Sequence, residues 1–402
     1  MPSETNVPAL SRPLTLMLVC GEPSGDQLGG ELMAGLKVIA GHQLNIVGVG
    51  GPAMEAQGLQ SLFPLDDTAV MGLREVVPRI PAILRRVRQA ADYALTIRPD
   101  AVVLIDSPDF THRIAQRIKS RDRSIRTVNY VAPQVWASRR YRARRMAKYF
   151  DLIIALLPFE VPFFEGRGLH AVFAGHPVIE RASRMNGGDA LRDRLCIARA
   201  APLLLILPGS RMNEVRLLLP RFRQAVERVG RDVAELVCVL PTVPHVRDYV
   251  RAHTADWPTP LHIVEGDADK FAAFAAGDVA LAASGTVTTE LALARVPMVV
   301  AYRLGWLTYA LARPFVSVKY ITLVNLLLDR QVVPELIQER CTGDALAAEL
   351  LPLFRDTNAR ERQKTGLAEA TAMLGTGAEL PSRRAARALL EFVRAQPSAM
   401  RG

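Results

Sequence analysis

Leu14-Thr15-Leu16-Met17-Leu18-Val19-Cys20 runs straight into Gly21-Glu22-Pro23-Ser24-Gly25-Asp26, and a helical pattern follows. An apolar run of this length, bounded by a glycine-bearing turn, reads as a strand buried on both faces. The same device recurs near the middle of the chain. There Pro202-Leu203-Leu204-Leu205-Ile206-Leu207 leads into Pro208-Gly209-Ser210-Arg211 and another helical pattern. Each turn presents free backbone N–H groups and the positive end of a helix dipole to an anion. Two such turns predict two nucleotide-fold domains facing one cleft.

Outward from these turns, short apolar runs alternate with helical patterns, as in βα units with a parallel sheet. The first half offers strands at Leu14–Cys20, Leu44–Val49, Ala101–Ile105, Ile125–Val131, Leu152–Leu156 and Ala171–Phe173. The second offers Leu203–Leu207, Glu235–Leu240, Leu261–Val264, Val279–Ala283 and Pro297–Ala301, and beyond Gly343 the pattern is helical only. The expected fold is α/β of the GT-B type: two Rossmann-like parallel-sheet domains facing a cleft, with C-terminal helices. The expected boundaries are an N-terminal domain over 1–178, a linker over 179–201, a second domain over 202–355, and helices over 356–402 that can pack back on the first domain.

Composition narrows the class. The 402 residues, 50% of them hydrophobic, suffice for two or three domains with sizeable cores. Cys20, Cys196, Cys238 and Cys341 are scattered without CxxC spacing, which argues against a zinc site or disulfide framework and for a reducing cytosol. Met1–Arg12 lacks the form of a signal peptide, and no apolar run reaches the ~18 residues of a membrane span. Net charge is +10, and Arg113–Lys148 holds twelve Lys/Arg against Asp122 alone. A solvated helix face, a nucleic-acid patch and an anionic-lipid patch are competing readings, the second weakened by the lack of a recognisable binding module.

The polar residues collect where strands end, the place at which open parallel sheets bind ligands. In Glu22–Asp26, Gly25 permits close backbone approach and Ser24 or Asp26 can cap the following helix. A capped turn with nothing bound is an equal reading, but carboxylates here suit sugar hydroxyls better than a pyrophosphate. Asp106-Ser107-Pro108-Asp109 follows a buried strand. A half-desolvated carboxylate there suits a general base, with Asp106 the better candidate and Asp109 the helix-capping one. Gly209, Ser210 and Arg211 can hold a diphosphate through turn amides and a guanidinium fork, or Arg211 is a surface residue paired with Glu214. Ser284-Gly285-Thr286 lets a ligand approach a helix start, and Glu290 one turn on can accept both hydroxyls of a ribose. His176, beside the linker, is a structural histidine or a site member. Val70–Arg86 and Tyr302–Phe315 mix bulky apolar residues with arginines, as core packing or as a membrane or acyl-chain contact.

Taken together, the loops resemble a known family. Leu18-Val19-Cys20-Gly21-Glu22-Pro23-Ser24-Gly25-Asp26, Ile105-Asp106-Ser107-Pro108-Asp109-Phe110, Tyr130-Val131-Ala132-Pro133-Gln134-Val135-Trp136-Ala137 and Leu157-Pro158-Phe159-Glu160 come first. Leu207-Pro208-Gly209-Ser210-Arg211, Ala283-Ser284-Gly285-Thr286 with Glu290, and Asn325-Leu326-Leu327 follow in the order seen in lipid-A-disaccharide synthases. The resemblance runs from about Leu14 to the final helices.

It implies an inverting glycosyltransferase of Gram-negative bacteria that joins UDP-2,3-diacylglucosamine to 2,3-diacylglucosamine 1-phosphate, without a cofactor or a metal. Asp106 would be the base. Glu22, Ser24 and Asp26 would orient sugar hydroxyls, with Gly25, Asp109, Gln134 and His176 on the same substrate side. Gly209, Ser210, Arg211, Ser284, Gly285 and Thr286 would hold the diphosphate, Glu290 the ribose, and Asn325 would join the UDP site. The resemblance further implies peripheral attachment to the anionic cytoplasmic face of the inner membrane, with no nucleic-acid partner and a homodimer left open. Rival expectations are a sugar-nucleotide enzyme with a soluble substrate, such as a UDP-N-acetylglucosamine epimerase or a peptidoglycan-precursor transferase, and a non-catalytic basic binding protein.

Overall fold

The computed structural model describes residues 13–41, 43–68, 73–136, 141–305, 319–377 and 379–395, with 73–79 as backbone only. The initial segment 1–12, part of the basic run (139–140), the first three residues of one amphipathic stretch (70–72) and most of the other (306–315) lie outside these residues. The chain forms two compact units, one over Met1–Pro177 and Gly377–Gly402, the other over Val178–Thr376.

The first unit is built on a six-stranded parallel sheet: β1 (Leu14–Cys20), β2 (Leu44–Val49), β3 (Ala101–Ile105), β4 (Thr127–Tyr130), β5 (Leu152–Ala155) and β6 (Ala171–Phe173). Their order is β2-β1-β3-β4-β5-β6. Successive residues of β1 enter opposite cores, as the two-residue period of a strand requires. Met17 and Val19 pack with Val87, Ala91, Ile114 and Ile118 of α3 (Leu73–Ile97) and α4 (Pro108–Arg121). Leu16, Leu18 and Cys20 pack with Leu32 and Leu36 of α1 (Pro23–Ala40) and with residues 385–392 near the chain end. Covering both faces explains why β1 carries almost no polar residue. Three short helices complete the unit's first pass: α2 (Pro52–Glu55), α5 (Tyr141–Met146) and α6 (Glu160–Glu165).

The second unit opens with α7 (Gly188–Arg194), inside the stretch expected as a linker. Instead of spanning free, α7 is tied into the unit by its buried Arg192. That guanidinium donates to the carbonyls of Ala198, Ala201 and Ala276 at 3.0, 2.9 and 2.8 Å and to Asp278 Oδ2 at 3.2 Å. The second sheet comprises β7 (Leu203–Leu207), β8 (Val237–Thr242), β9 (Leu261–Glu265), β10 (Val279–Ala283), β11 (Met298–Tyr302) and β12 (Glu335–Ile337), again all parallel. Its order is β12-β11-β10-β7-β8-β9. β12 is a strand the apolar pattern does not reveal, because it is three residues long and starts with a carboxylate. The helices are α8 (Met212–Asp232), α9 (Pro244–Thr254), α10 (Asp267–Ala276), α11 (Thr286–Leu293), α12 (Leu323–Leu328), α13 (Gly343–Arg355) and α14 (Thr357–Met373).

The final helices divide between the units. α13 packs on α8 and α14 on α11 and α12, whereas α15 (Pro381–Arg394) lies on α1 of the first unit. The α15 contact is close: a methyl on Gly35 would stand 2.9 Å from the Ser382 carbonyl oxygen. Arg126 donates to the carbonyls of Phe392, Val393 and Ala395 at 2.8, 2.7 and 2.8 Å, a cation at the negative end of the helix dipole.

Candidate active site

In each unit the polar loops gather at the point where the strand order reverses, where open α/β sheets hold their ligands. In the first unit this point lies between β1 and β3, which pair in parallel with Cys20 opposite Ile105. The loop after β1 and the loop after β3 are therefore neighbours. Ser24 Oγ donates to Asp106 Oδ2 at 3.0 Å. Gly25 makes the approach possible, since a Cβ there would lie 3.0 Å from Cys20 Cβ and 3.2 Å from the Ile105 carbonyl oxygen.

Asp106 and Ser107 both hold left-handed backbone, with φ of 53° and 44°. Two adjacent non-glycine residues in this region persist only where their surroundings fix them, and such strain collects at functional sites. The fixing bonds are Asp106 N–H to the Tyr130 carbonyl at 3.0 Å and Thr111 Oγ1 to the Asp106 carbonyl at 2.7 Å. Glu22 is half-buried beside them. Burial, with the Asp106 and Asp109 charges nearby, pushes its carboxyl above the ordinary range. Asp109 is exposed in the first turn of α4, and Gln134 is exposed in the loop after β4. His176 is half-buried just after β6.

Asp26 has a different duty from the one expected. It is 4% exposed, and its carboxylate accepts from the N–H groups of Gly51, Ala53 and Met54 at 2.8, 2.8 and 3.1 Å. It caps α2 and fastens that turn to α1, rather than facing a sugar.

In the second unit the reversal falls between β7 and β10, again parallel neighbours. A cavity of about 640 Å³ opens there, lined by Gly209, Ser210 and Arg211 after β7, by Ser284, Gly285 and Thr286 after β10, and by Glu290. The starts of α8, α9, α10 and α11 all border it, which concentrates helix-dipole ends and free N–H groups on one space. Gly209 has φ of 109°, and a Cβ would sit 2.5 Å from Glu214 Oε2, so the turn requires glycine. Arg211 is paired with Glu214 at 2.8 Å, the alternative that its i,i+3 spacing allowed.

Glu290 is buried at the cavity wall. Arg181 Nη1 stands 2.6 Å from its Oε1, and Lys270 Nζ lies 3.4 Å from Oε2. These two cations are members of the cavity that sequence reasoning missed. Lys270 had one usable signal, its place just after the carboxyl end of β9. Arg181 had none, lying in a stretch read as a linker.

Asn325 does not join the ligand surface. It is fully buried, and its amide donates to the Val333 carbonyl and to Glu335 Oε1, each at 2.8 Å. Its oxygen accepts from Val332 and Val333 N–H at 2.7 and 2.9 Å. All of its bonding capacity is used inside the protein. Asn325 thus secures the loop before β12.

Two parallel α/β units, each with polar loops at its switch point, define the GT-B class of sugar-nucleotide enzymes. The family described as lipid-A-disaccharide synthetase matches residues 16–389, and the chain belongs to it. It is a glycosyltransferase of lipid A biosynthesis. The lipid-A-disaccharide synthase of Rhodospirillum centenum is 48% identical over 382 residues, 95% of each chain. That of Rhodopseudomonas palustris strain HaA2 is 44% identical over 380 residues, 94% of this chain and 96% of that protein. Among solved structures, the Staphylococcus aureus MnaA–UDP complex superposes with a TM-score of 0.62 at 13% identity, covering 94% of this chain and 96% of that one. Acinetobacter baumannii MurG gives 0.56 at 16% identity, with 95% and 99% covered, and shares the fold. Among the described residues no helix is long and apolar enough to cross a membrane.

Proposed function

We propose that the chain moves a 2,3-diacylglucosamine unit from UDP to the 6-hydroxyl of 2,3-diacylglucosamine 1-phosphate, giving a β(1→6) disaccharide 1-phosphate and UDP. The acceptor oxygen forms a bond to C1 of the donor as the bond from C1 to the β-phosphate oxygen breaks. Asp106 takes the hydroxyl proton, and the electron pair leaves with UDP. Ser24 orients the Asp106 carboxylate, and Glu22 binds acceptor hydroxyls. The helix-start amides near Gly209 and Ser284–Thr286 stabilise the departing diphosphate, aided by Lys270 and by Arg211 exchanging Glu214 for phosphate. Glu290, steadied by Arg181, receives the ribose.

The observation that carries this reading is the division of chemistry between the two switch points: carboxylates in the first unit, cations and backbone donors in the second. The test is UDP release from UDP-2,3-diacylglucosamine in detergent with EDTA, with and without the acylated sugar 1-phosphate. Acceptor-dependent release insensitive to chelation supports the proposal. Release without acceptor turns it toward a hydrolase or an epimerase.

The basic Arg113–Lys148 segment supports peripheral attachment to the anionic cytoplasmic face of the inner membrane. Equal retention on neutral and anionic liposomes would count against that attachment.

A further inference from the structure

One cavity of the first unit is not used by the reaction as written. Its volume is about 330 Å³, and α4, α5 and the residues that follow α5 enclose it. Asp109, His112, Arg113, Arg142, Arg145 and Tyr149 line it, three guanidiniums and an imidazole against one carboxylate. Among the described residues neither Arg142 nor Arg145 makes an ion pair. Arg113 donates from Nε to the Asp109 carbonyl at 3.0 Å, a bond that leaves its terminal nitrogens to the cavity side chains.

His112 is the second observation. Its ring is fixed edge-on against Phe150, with centroids 5.0 Å apart, and its Nδ1 meets the Tyr149 hydroxyl at 3.2 Å. Its Nε2 is buried and has no partner. Burial, against the opposing pull of Asp109 and aided by Arg142, pushes His112 down to about 4, so the ring is neutral near pH 7. His112 is thus a fixed, neutral wall beside guanidiniums without ion-pair partners, a set complementary to an oxyanion.

We infer that this cavity seats a phosphomonoester, held by Arg113, Arg142 and Arg145, with the neutral His112 ring in its wall. The inference rests on the first unit being the acceptor unit, as proposed above, and assigns the acceptor's 1-phosphate as the occupant. Continuity along α4 supports the assignment. Asp109 and Pro108, at the start of α4, border the cavity and directly follow the Asp106–Ser107 turn, so the cavity adjoins the loop that carries the base. The volume is at the low end for a ligand pocket and suits a headgroup, not an acyl chain.

The source of the phosphate separates in the test. A full-length Arg142→Gln/Arg145→Gln variant is compared with wild type on 2,3-diacylglucosamine with and without its 1-phosphate. The expected result is a tenfold or larger rise in acceptor KM for the phosphorylated substrate, little change in kcat, and collapse of the preference for phosphate. Arg144→Ala, on the same helix but outside the cavity lining, is expected to keep the wild-type preference for the phosphorylated acceptor. An unchanged preference in the double variant overturns the inference. So does loss of binding to phosphatidylglycerol vesicles with the preference intact, which would reassign the cavity to a lipid headgroup.

A second readout does not need the transferase reaction. Glucosamine 1-phosphate, followed by NMR of the His112 ring nitrogens, is expected to move the His112 titration upward from about 4. No movement at saturating ligand overturns the site. Movement in a protein that fails the transfer assay would keep the phosphate seat and discard the proposed reaction.

Discussion

Arg181 Nη1 lies 2.6 Å from Oε1 of Glu290, although the two residues are 109 apart in sequence. The carboxylate is 3% exposed and the guanidinium partly open to solvent, so the pair is an anchored acid beside a solvent-accessible cation. Glu290→Gln keeps the shape and removes the charge. UDP is expected to bind about tenfold more weakly, with secondary structure retained, since a hydrogen bond to a charged group contributes about 1.5–3 kcal/mol. Calorimetric titration with UDP measures this. Wild-type affinity in the variant would remove Glu290 from the ribose contact.

Asp106→Asn is expected to lower kcat by about 10²–10⁴-fold with UDP affinity unchanged, the range for loss of a positioned base. Ser24→Ala should cost less, about tenfold, because the carboxylate remains and only its orientation is loosened. Single-turnover kinetics distinguish the two. Near wild-type turnover in Asp106→Asn would transfer the role to Glu22, whose raised carboxyl is the next candidate.

Glu160 gives the first unit a stability that depends on pH. Its carboxyl accepts from Trp136 Nε1 at 3.1 Å and from the N–H groups of Leu156 and Leu157 at 3.2 and 3.1 Å. Burial nevertheless raises it from 4.5 to about 7. In the unfolded chain the acid ionises near 4.5, while the folded chain keeps its proton to about 7. The stabilising contribution is complete below 4.5 and is lost as pH rises through about 7, up to about 3 kcal/mol in all. Urea midpoints between pH 4.5 and 8 should fall in wild type and lose most of that slope in Glu160→Gln. Trp136 emission should titrate over the same interval.

Asn325→Ala should unfasten the loop before β12 without touching nucleotide affinity. Four internal hydrogen bonds are lost at a fully buried site. A fall in thermal midpoint with UDP binding within twofold of wild type is the expected outcome. A selective loss of UDP binding would restore Asn325 to the ligand surface.

The strands that make the two sheets were legible because parallel strands covered on both faces cannot hide polar residues. β1 and β7 read as unbroken apolar runs, and the loops after them could be placed at strand ends. β12 was not legible, because Glu335 is buried by virtue of distant donors: the N–H groups of Ile321 and Thr322 at 3.0 and 2.9 Å, the Thr322 hydroxyl at 2.6 Å and the Asn325 amide at 2.8 Å. The stretch expected as a linker, 179–201, contains the glycine pair 187–188. Gly188 in fact allows α7 to meet α10, where a Cβ would stand 2.7 Å from the Ala275 backbone carbon. Asp26 and Asn325 have the composition of ligand residues, but their partners are backbone groups distant in sequence, which no local pattern records. Arg181 and Lys270 look like surface cations until tertiary structure brings them to Glu290.

The placement of α15 has a consequence for biosynthesis. The second unit is continuous, Val178–Thr376, whereas the first takes its last helix from beyond Gly377. Leu389, Leu390 and Phe392 of that helix share a core with Leu16 and Leu18 of the opening strand. On a ribosome delivering residues from the N-terminus, the unit begun first is therefore the last to be finished. Its nascent sheet must wait, one face incompletely covered, while an entire second unit is made and folds. A premature stop before α15 would leave that face covered by α1 without its second helix.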